Sequence, residues 1–221
     1  MKKKGTRRET HTPPTPHAGR VEARAASADD SRASRDGWRS SLSSLWDGRT
    51  VAFVLGVKAL VFIFAAQAFA IWKNERPGSF YNWLSLWNRW DAPHYLDIAR
   101  MGYVKEGVES RWVVFYPLYP WLVRAATLFV RDELAAAFLV STLASVAAGL
   151  LLYRLALLDE ERAVARAAVF FMFVFPTSYF LHIGYTESLF LALALGTFLA
   201  ARERRWPLAG LLGALACMTR A

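Results

Sequence analysis

Two polar stretches interrupt an otherwise apolar chain. The first, RWDAPHYLDIARMGY, runs from Arg89 to Tyr103 and holds two aspartates, a histidine, two arginines and two tyrosines. His94 and Tyr95 follow Asp91 by three and four residues, so on a helix the three side chains meet on one face. The second, LHIGYTESL from Leu181 to Leu189, carries Glu187 within an apolar run. An ionisable group at membrane depth costs on the order of 3 kcal/mol by insertion scales, so it normally faces a cavity or a pathway.

Local pattern alone leaves the first cluster open. Asp91 followed by Ala92 and Pro93 has the form of a helix N-cap with proline in the first turn, and Gly102 is a natural residue just past a helix end. WDAPHYLDIARMG therefore also describes a capped surface helix. By the same reasoning His182 reads as a satisfied interfacial histidine, and Lys58 as a snorkelling or internally directed group. The YPLYP repeat reads as a rigid turn.

The elements that must hold these clusters are membrane elements. The 221 residues are 55% hydrophobic and 14% aromatic, with the apolar residues gathered in runs, which points to an all-α integral membrane protein with several spans. A helical span needs about 20 mostly apolar residues. Val51 to Ile71 meets this with Lys58 as its only charge, and about fifty polar residues precede it, too many for a cleavable signal. It is expected to serve as an uncleaved anchor.

Residues 1–50 are rich in Lys, Arg, Ser, Pro, Ala and Thr and are expected to form a disordered, basic cytoplasmic tail, the one low-complexity region. Its MKKKGTRR segment suits either solvent or anionic lipid headgroups. Residues 72–132 are expected to form an extracytoplasmic loop. Within it, NWLSLWNRW puts Trp83, Leu84, Trp87 and Trp90 on one stripe, suited to a helix lying on the membrane surface. Phe115 to Val130 is short, carries Arg124 and contains prolines, so it reads as a turn followed by a second interfacial or re-entrant helix.

Further spans are expected over Leu134–Leu157, Ala163–Leu181 and Tyr185–Ala201, with another beginning at Pro207 and unfinished at Arg220. The membrane domain, residues 51–221, thus reads as incomplete at its C-terminus. This arrangement puts Arg154, Arg162, Arg166, Arg202, Arg204 and Arg205 on the same side as the tail, the positive-inside pattern. The net charge of +9 is therefore assigned to topology, with no nucleic acid as partner. The lone Cys217 excludes a disulfide framework and a cysteine-based zinc site. No GxxxxGK[ST], HExxH or GxSxG segment supports nucleotide hydrolysis, zinc proteolysis or serine hydrolysis.

Two blocks add a resemblance. RWDAPHYLDIARMGYVKE followed by VFYPLYPWLVR, and FPTSYFLHIGYTESLFLALALGTFLAARERRWPLAGLLGALACMTR, resemble the PIG-V family of dolichol-phosphate-mannose-dependent mannosyltransferases and their bacterial relatives, over about Trp87 to Arg220. The resemblance implies a GT-C-like multi-span helical bundle with interfacial helices in the first extracytoplasmic loop. It also implies a lipid-phosphate sugar donor, a lipid or glycan acceptor, and a catalytic carboxylate in that loop, where Asp91 falls. A carboxylate in hydrogen-bond reach of an acceptor hydroxyl can take its proton as the sugar bond forms, and a cation near the phosphate suffices for the leaving group.

On this reading His94, Tyr95 and Glu106 contact sugar hydroxyls, Tyr185 and Glu187 belong to the substrate pocket, and Arg220 partners the phosphate if its span returns to the outer face. No metal ligand and no cofactor are called for, a divalent cation being left open. The location implied is a bacterial plasma membrane, or the endoplasmic reticulum in a eukaryote, with the N-terminus cytoplasmic. The rivals are a transporter or flippase of lipid-linked sugars, in which Glu187 lines a path, and an inactive truncated paralogue acting as an assembly subunit.

Overall fold

The computed structural model describes residues 47–74 and 78–220, and every regular element among them is helical. The expectations for the tail before Asp47 lie outside the described residues. Two helices are long and apolar enough to cross a membrane, or up to four if each of two bent pairs forms one span. The protein is accordingly a membrane protein.

The first long helix, α1 (Gly48–Lys73), begins three residues earlier than the apolar run suggests because Asp47 caps it. The carboxylate accepts from the Thr50 amide at 2.9 Å and from its hydroxyl at 2.7 Å. Twenty-six residues reach about 39 Å at 1.5 Å per residue, more than the roughly 30 Å of a hydrocarbon core. Leu60, Ile63 and Phe64 lie exposed on its outer face, the side chains that such a helix turns to lipid.

Four elements lie among the described residues of the segment expected as the outer loop. They are the short α2 (Phe80–Ser85), α3 (Ala92–Met101), and a 3-10 turn at Val108–Val114 that leads into α4 (Leu118–Val130). The bend between the 3-10 turn and α4 is 111°. Tyr116 precedes Pro117, and proline disfavours the helical region for the residue before it, so the break falls where the YPLYP segment places it.

The expected tryptophan stripe requires correction. α2 ends at Ser85, so Trp83 to Trp90 do not share one helix. Leu84 and Trp87 are buried at 4% and 6% exposure, whereas Trp90 is 67% exposed. Trp87 turns inward onto Phe62 of α1, with ring centroids 5.0 Å apart, and onto Tyr179 at 5.5 Å.

The second long helix, α5 (Glu133–Ala156), lies at the centre and packs against α1, α4, α6 (Arg162–Val174) and α8 (Glu187–Arg202). Its buried face consists largely of small residues, among them Ala136, Ala137, Ser141, Ala144, Ser145, Ala148 and Gly149. Small residues let helices approach closely where lipid gives no hydrophobic drive for association. At Gly149 an added Cβ would stand 2.9 Å from a Val54 methyl of α1 and 3.3 Å from the Phe173 ring of α6.

The segment expected as a continuous span over Ala163–Leu181 is broken. α6 stops at Val174, and at Phe175 the chain turns by 70° into a short 3-10 turn that begins with Pro176 and leads to α7 (Tyr179–His182). Phe175, before the proline, is extended at φ −61° and ψ 141°. The Phe173 carbonyl accepts instead from the Ser178 hydroxyl at 2.6 Å, with His182 Nε2 at 3.3 Å. Helix α8 is 16 residues, about 24 Å, close to the expected Tyr185–Ala201, and α9 (Trp206–Cys217) is 12, about 18 Å.

Candidate functional site

The Ile183–Thr186 turn joins α7 to α8 and is wholly buried, as is His182 before it. Polar side chains from the long helices hold it. Lys58 Nζ, buried in α1, donates to the His182 carbonyl at 2.8 Å, so its side chain is an internally directed polar group. Ser145 and Ser188 hydroxyls donate to the Leu181 carbonyl at 2.6 and 3.0 Å, and Ser141 donates to the Tyr185 carbonyl at 3.0 Å. His182 is fully buried, and its Nδ1 has no hydrogen-bond partner.

From this turn Tyr185 reaches the first polar cluster. Its hydroxyl accepts from the Asp91 amide at 2.9 Å and donates to the Arg89 carbonyl at 2.8 Å. The two stretches, more than ninety residues apart, therefore meet at one end of the bundle. Between the two clamped positions Trp90 adopts φ 52°, a left-handed conformation that is strained for a bulky side chain.

The N-cap expectation for Asp91 holds in the backbone and fails in the side chain. Asp91 and Gly102 bracket α3, and the Asp91 carbonyl accepts from the amides of His94 at 3.0 Å and Tyr95 at 3.3 Å. The carboxylate makes no capping bond, because Asp91 already has helical dihedrals, φ −81° and ψ −14°. An N-cap side chain reaches its amide from an extended backbone. The Asp91 side chain instead lines a cleft of about 540 Å³ together with Trp90, Thr177, Phe180, Tyr185, Glu187 and Arg220.

Glu187 opens α8. Its Oε1 receives Arg220 Nη1 at 2.6 Å, while Oε2 is buried without a hydrogen-bond partner. Arg220 comes back to this end because α9 runs antiparallel to α8, and the Met218 carbonyl after α9 accepts from the Leu118 amide of α4 at 3.0 Å. The cleft thus joins two carboxylates and a guanidinium under an aromatic rim, where Phe180 lies 5.6 Å from Tyr185 and 6.3 Å from Trp90. Such a set can take a proton, bind an anionic group and stack against a sugar ring.

Of the residues expected at the site, Asp91, Tyr185, Glu187 and Arg220 line the cleft. Tyr95 lies behind it, buried against Phe115, Tyr119 and Tyr185. Its phenol is pushed up to about 12, first by burial and then by the Glu187 and Asp91 charges. His94 makes tilted ring contacts with Trp112 and Phe115, with centroids 5.2 and 5.4 Å away. Glu106 is exposed in the connection after α3. Neither His94 nor Glu106 lines the cleft.

Trp90 is expected from the sequence only as part of a surface stripe, and Thr177 and Phe180 carry no site expectation, yet all three line the cleft. The Pro176 break in an apolar run was the available signal, since the turn after it carries Thr177 and Phe180 into the cleft. Among the described residues, no three His, Cys, Asp or Glu side chains converge as a metal site would require. No protein-family model, curated protein or solved structure matches the chain.

Proposed function

We propose that the cleft transfers a hexose, with mannose the first candidate, from a polyprenyl-phosphate sugar to an acceptor hydroxyl. The observation that carries this reading is the placement of Asp91 and the Glu187–Arg220 pair in one cleft. Asp91 accepts the proton of the acceptor hydroxyl. The acceptor oxygen bonds to the anomeric carbon as that carbon's bond to the phosphate oxygen breaks on the opposite face, inverting the centre. The departing polyprenyl phosphate takes the bonding pair, and Arg220 stabilises its charge. Glu187 aims the guanidinium, and the Trp90 and Phe180 rings offer stacking surfaces to the sugar.

The resemblance to the PIG-V mannosyltransferases supports the same assignment and a GT-C-like architecture. In the proposed orientation the cleft faces the extracytoplasmic side of a bacterial plasma membrane, or the lumen of the endoplasmic reticulum, with the N-terminus in the cytoplasm. The acceptor is a lipid or glycan of that membrane. Against a translocation path, the buried serines of α5 and Lys58 of α1 are all bound to backbone carbonyls, which closes the interior around the turn.

The test is a reconstitution. Purified protein in vesicles is given polyprenyl-phosphate mannose, labelled in the sugar, and an extract of membrane lipids. Transfer of label to a new lipid or glycan, with release of polyprenyl phosphate, supports the reading. Movement of intact donor across the bilayer without cleavage makes the protein a transporter instead.

A further inference from the structure

A second cavity lies at the opposite end of the bundle, where α1 and α6 begin. It measures about 360 Å³ and is lined by Arg49, Thr50, Phe53, Arg166, Val169 and Phe170. That end is marked by charge pairs: Arg166 with Asp47 at 3.8 Å, Arg202 with Asp159 at 2.6 Å, and Arg154 with Glu203 at 4.0 Å.

The cavity has one basic wall and one apolar wall. On the basic side, Arg166 and Arg49 lie near the Asp47 carboxylate, whose Oδ2 is already occupied by the Thr50 amide and hydroxyl as the cap of α1. At 3.8 Å the Arg166 approach to Asp47 is an ion pair beyond hydrogen-bond length. Arg166 Nε is buried without a hydrogen-bond partner, a donor whose burial is costly until an acceptor reaches it. On the apolar side, Phe53 and Phe170 stand 5.7 Å apart, and Phe170 is 45% exposed on the outer surface of the bundle.

We propose that this cavity binds the headgroup of one anionic phospholipid. The phosphate lies between the Arg49 and Arg166 guanidinium groups and accepts from both, and the first part of an acyl chain runs along Phe53, Val169 and Phe170. A basic cavity at the end of a membrane span meets such lipids as its solvent. Free phosphate satisfies the arginines but leaves the aromatic wall uncovered, so the combined lining selects a lipid. The site is separate from the Asp91 cleft and does not depend on the reaction assigned there.

Native mass spectrometry of the full chain, released from nanodiscs of equal phosphatidylglycerol and phosphatidylcholine, tests this. One phosphatidylglycerol should remain bound in preference to phosphatidylcholine. The Arg49→Gln, Arg166→Gln double variant should lose roughly thirty-fold in that retention, the worth of about two juxtamembrane arginines. Arg49→Gln alone leaves the Arg166–Asp47 pair in place and should give an intermediate loss, so a folding defect in the double variant cannot decide the outcome. Equal retention of the two lipids, unchanged retention in Arg49→Gln, or displacement of the lipid by excess inorganic phosphate would overturn the proposal.

Discussion

The hydroxyl of Tyr185 is locked to the backbone on both sides of Trp90, accepting from the Asp91 amide at 2.9 Å and donating to the Arg89 carbonyl at 2.8 Å. One side chain from the second polar stretch thereby fixes the peptide geometry of the first. The left-handed Trp90 between those contacts is the conformation that most needs such a restraint.

Tyr185→Phe removes both contacts while keeping the ring. It should lower stability by about 1–2 kcal/mol, the worth of one or two hydrogen bonds. Sugar transfer should fall by roughly 10- to 100-fold, since a small misplacement of a reacting group is costly. Parallel melting and transfer measurements check this, and a variant unchanged in both would show that the clamp holds nothing that matters.

Arg220 and Glu187 separate charge from geometry. Arg220→Gln should reduce transfer by about 10²-fold through loss of the cation beside the leaving phosphate. Arg220→Lys should recover only part of it, because an ammonium does not reproduce the guanidinium fork. Glu187→Gln should be milder than Arg220→Gln, as the amide oxygen can still accept from Arg220. An Arg220→Gln enzyme with native turnover would remove Arg220 from the chemistry.

Acid should loosen the end of the bundle where α1 begins. Burial pushes the Asp47 carboxyl up, but the Thr50 bonds and the nearby Arg166 and Arg49 outweigh it and hold it below its ordinary value. A depressed folded value means that the stabilisation is complete above the unfolded value, near 3.9, and is lost as pH falls through the folded one. Asp47→Ala should cost about 0.5–2 kcal/mol at neutral pH and flatten the stability curve below about pH 4. An unaltered acid profile in that variant would contradict the role of the cap.

Sidedness can be read with single cysteines after Cys217 is replaced. Val108 and Glu160 are both exposed, at opposite ends of the bundle. In intact cells an impermeant thiol reagent should label a cysteine at Val108 and spare one at Glu160. The reverse pattern would invert the proposed orientation.

Much of this organisation was legible from residue type and spacing. Val51 to Ile71 and Leu134 to Leu157 stand out as apolar runs of span length, and both fall in long helices. Asp91 and Gly102 correctly bracket α3, since N-cap and glycine signals are local. The inward turn of Trp87 was not legible. It depends on Phe62 and Tyr179, which arrive from distant parts of the chain.

For the site, Glu187 stands out as an acidic residue in an apolar run, whereas Asp91 is marked as a site residue only by the resemblance to the PIG-V family. Which of their neighbours share the cleft is a tertiary matter. His94 is one turn from Asp91, yet its ring contacts are with Trp112 and Phe115. Arg220 could be placed only once α9 was seen to return to Glu187.

Asp91→Asn tests the central claim most directly. The side chain of Asp91 makes no capping bond, and asparagine caps as well as aspartate in any case, so the fold has no reason to register the change. An amide cannot take the acceptor's proton. With polyprenyl-phosphate mannose as donor, transfer by the Asp91→Asn protein should fall by roughly 10²- to 10⁴-fold with its melting temperature unchanged. Full transfer activity in that variant would contradict the account and leave Asp91 as no more than the N-cap residue of α3.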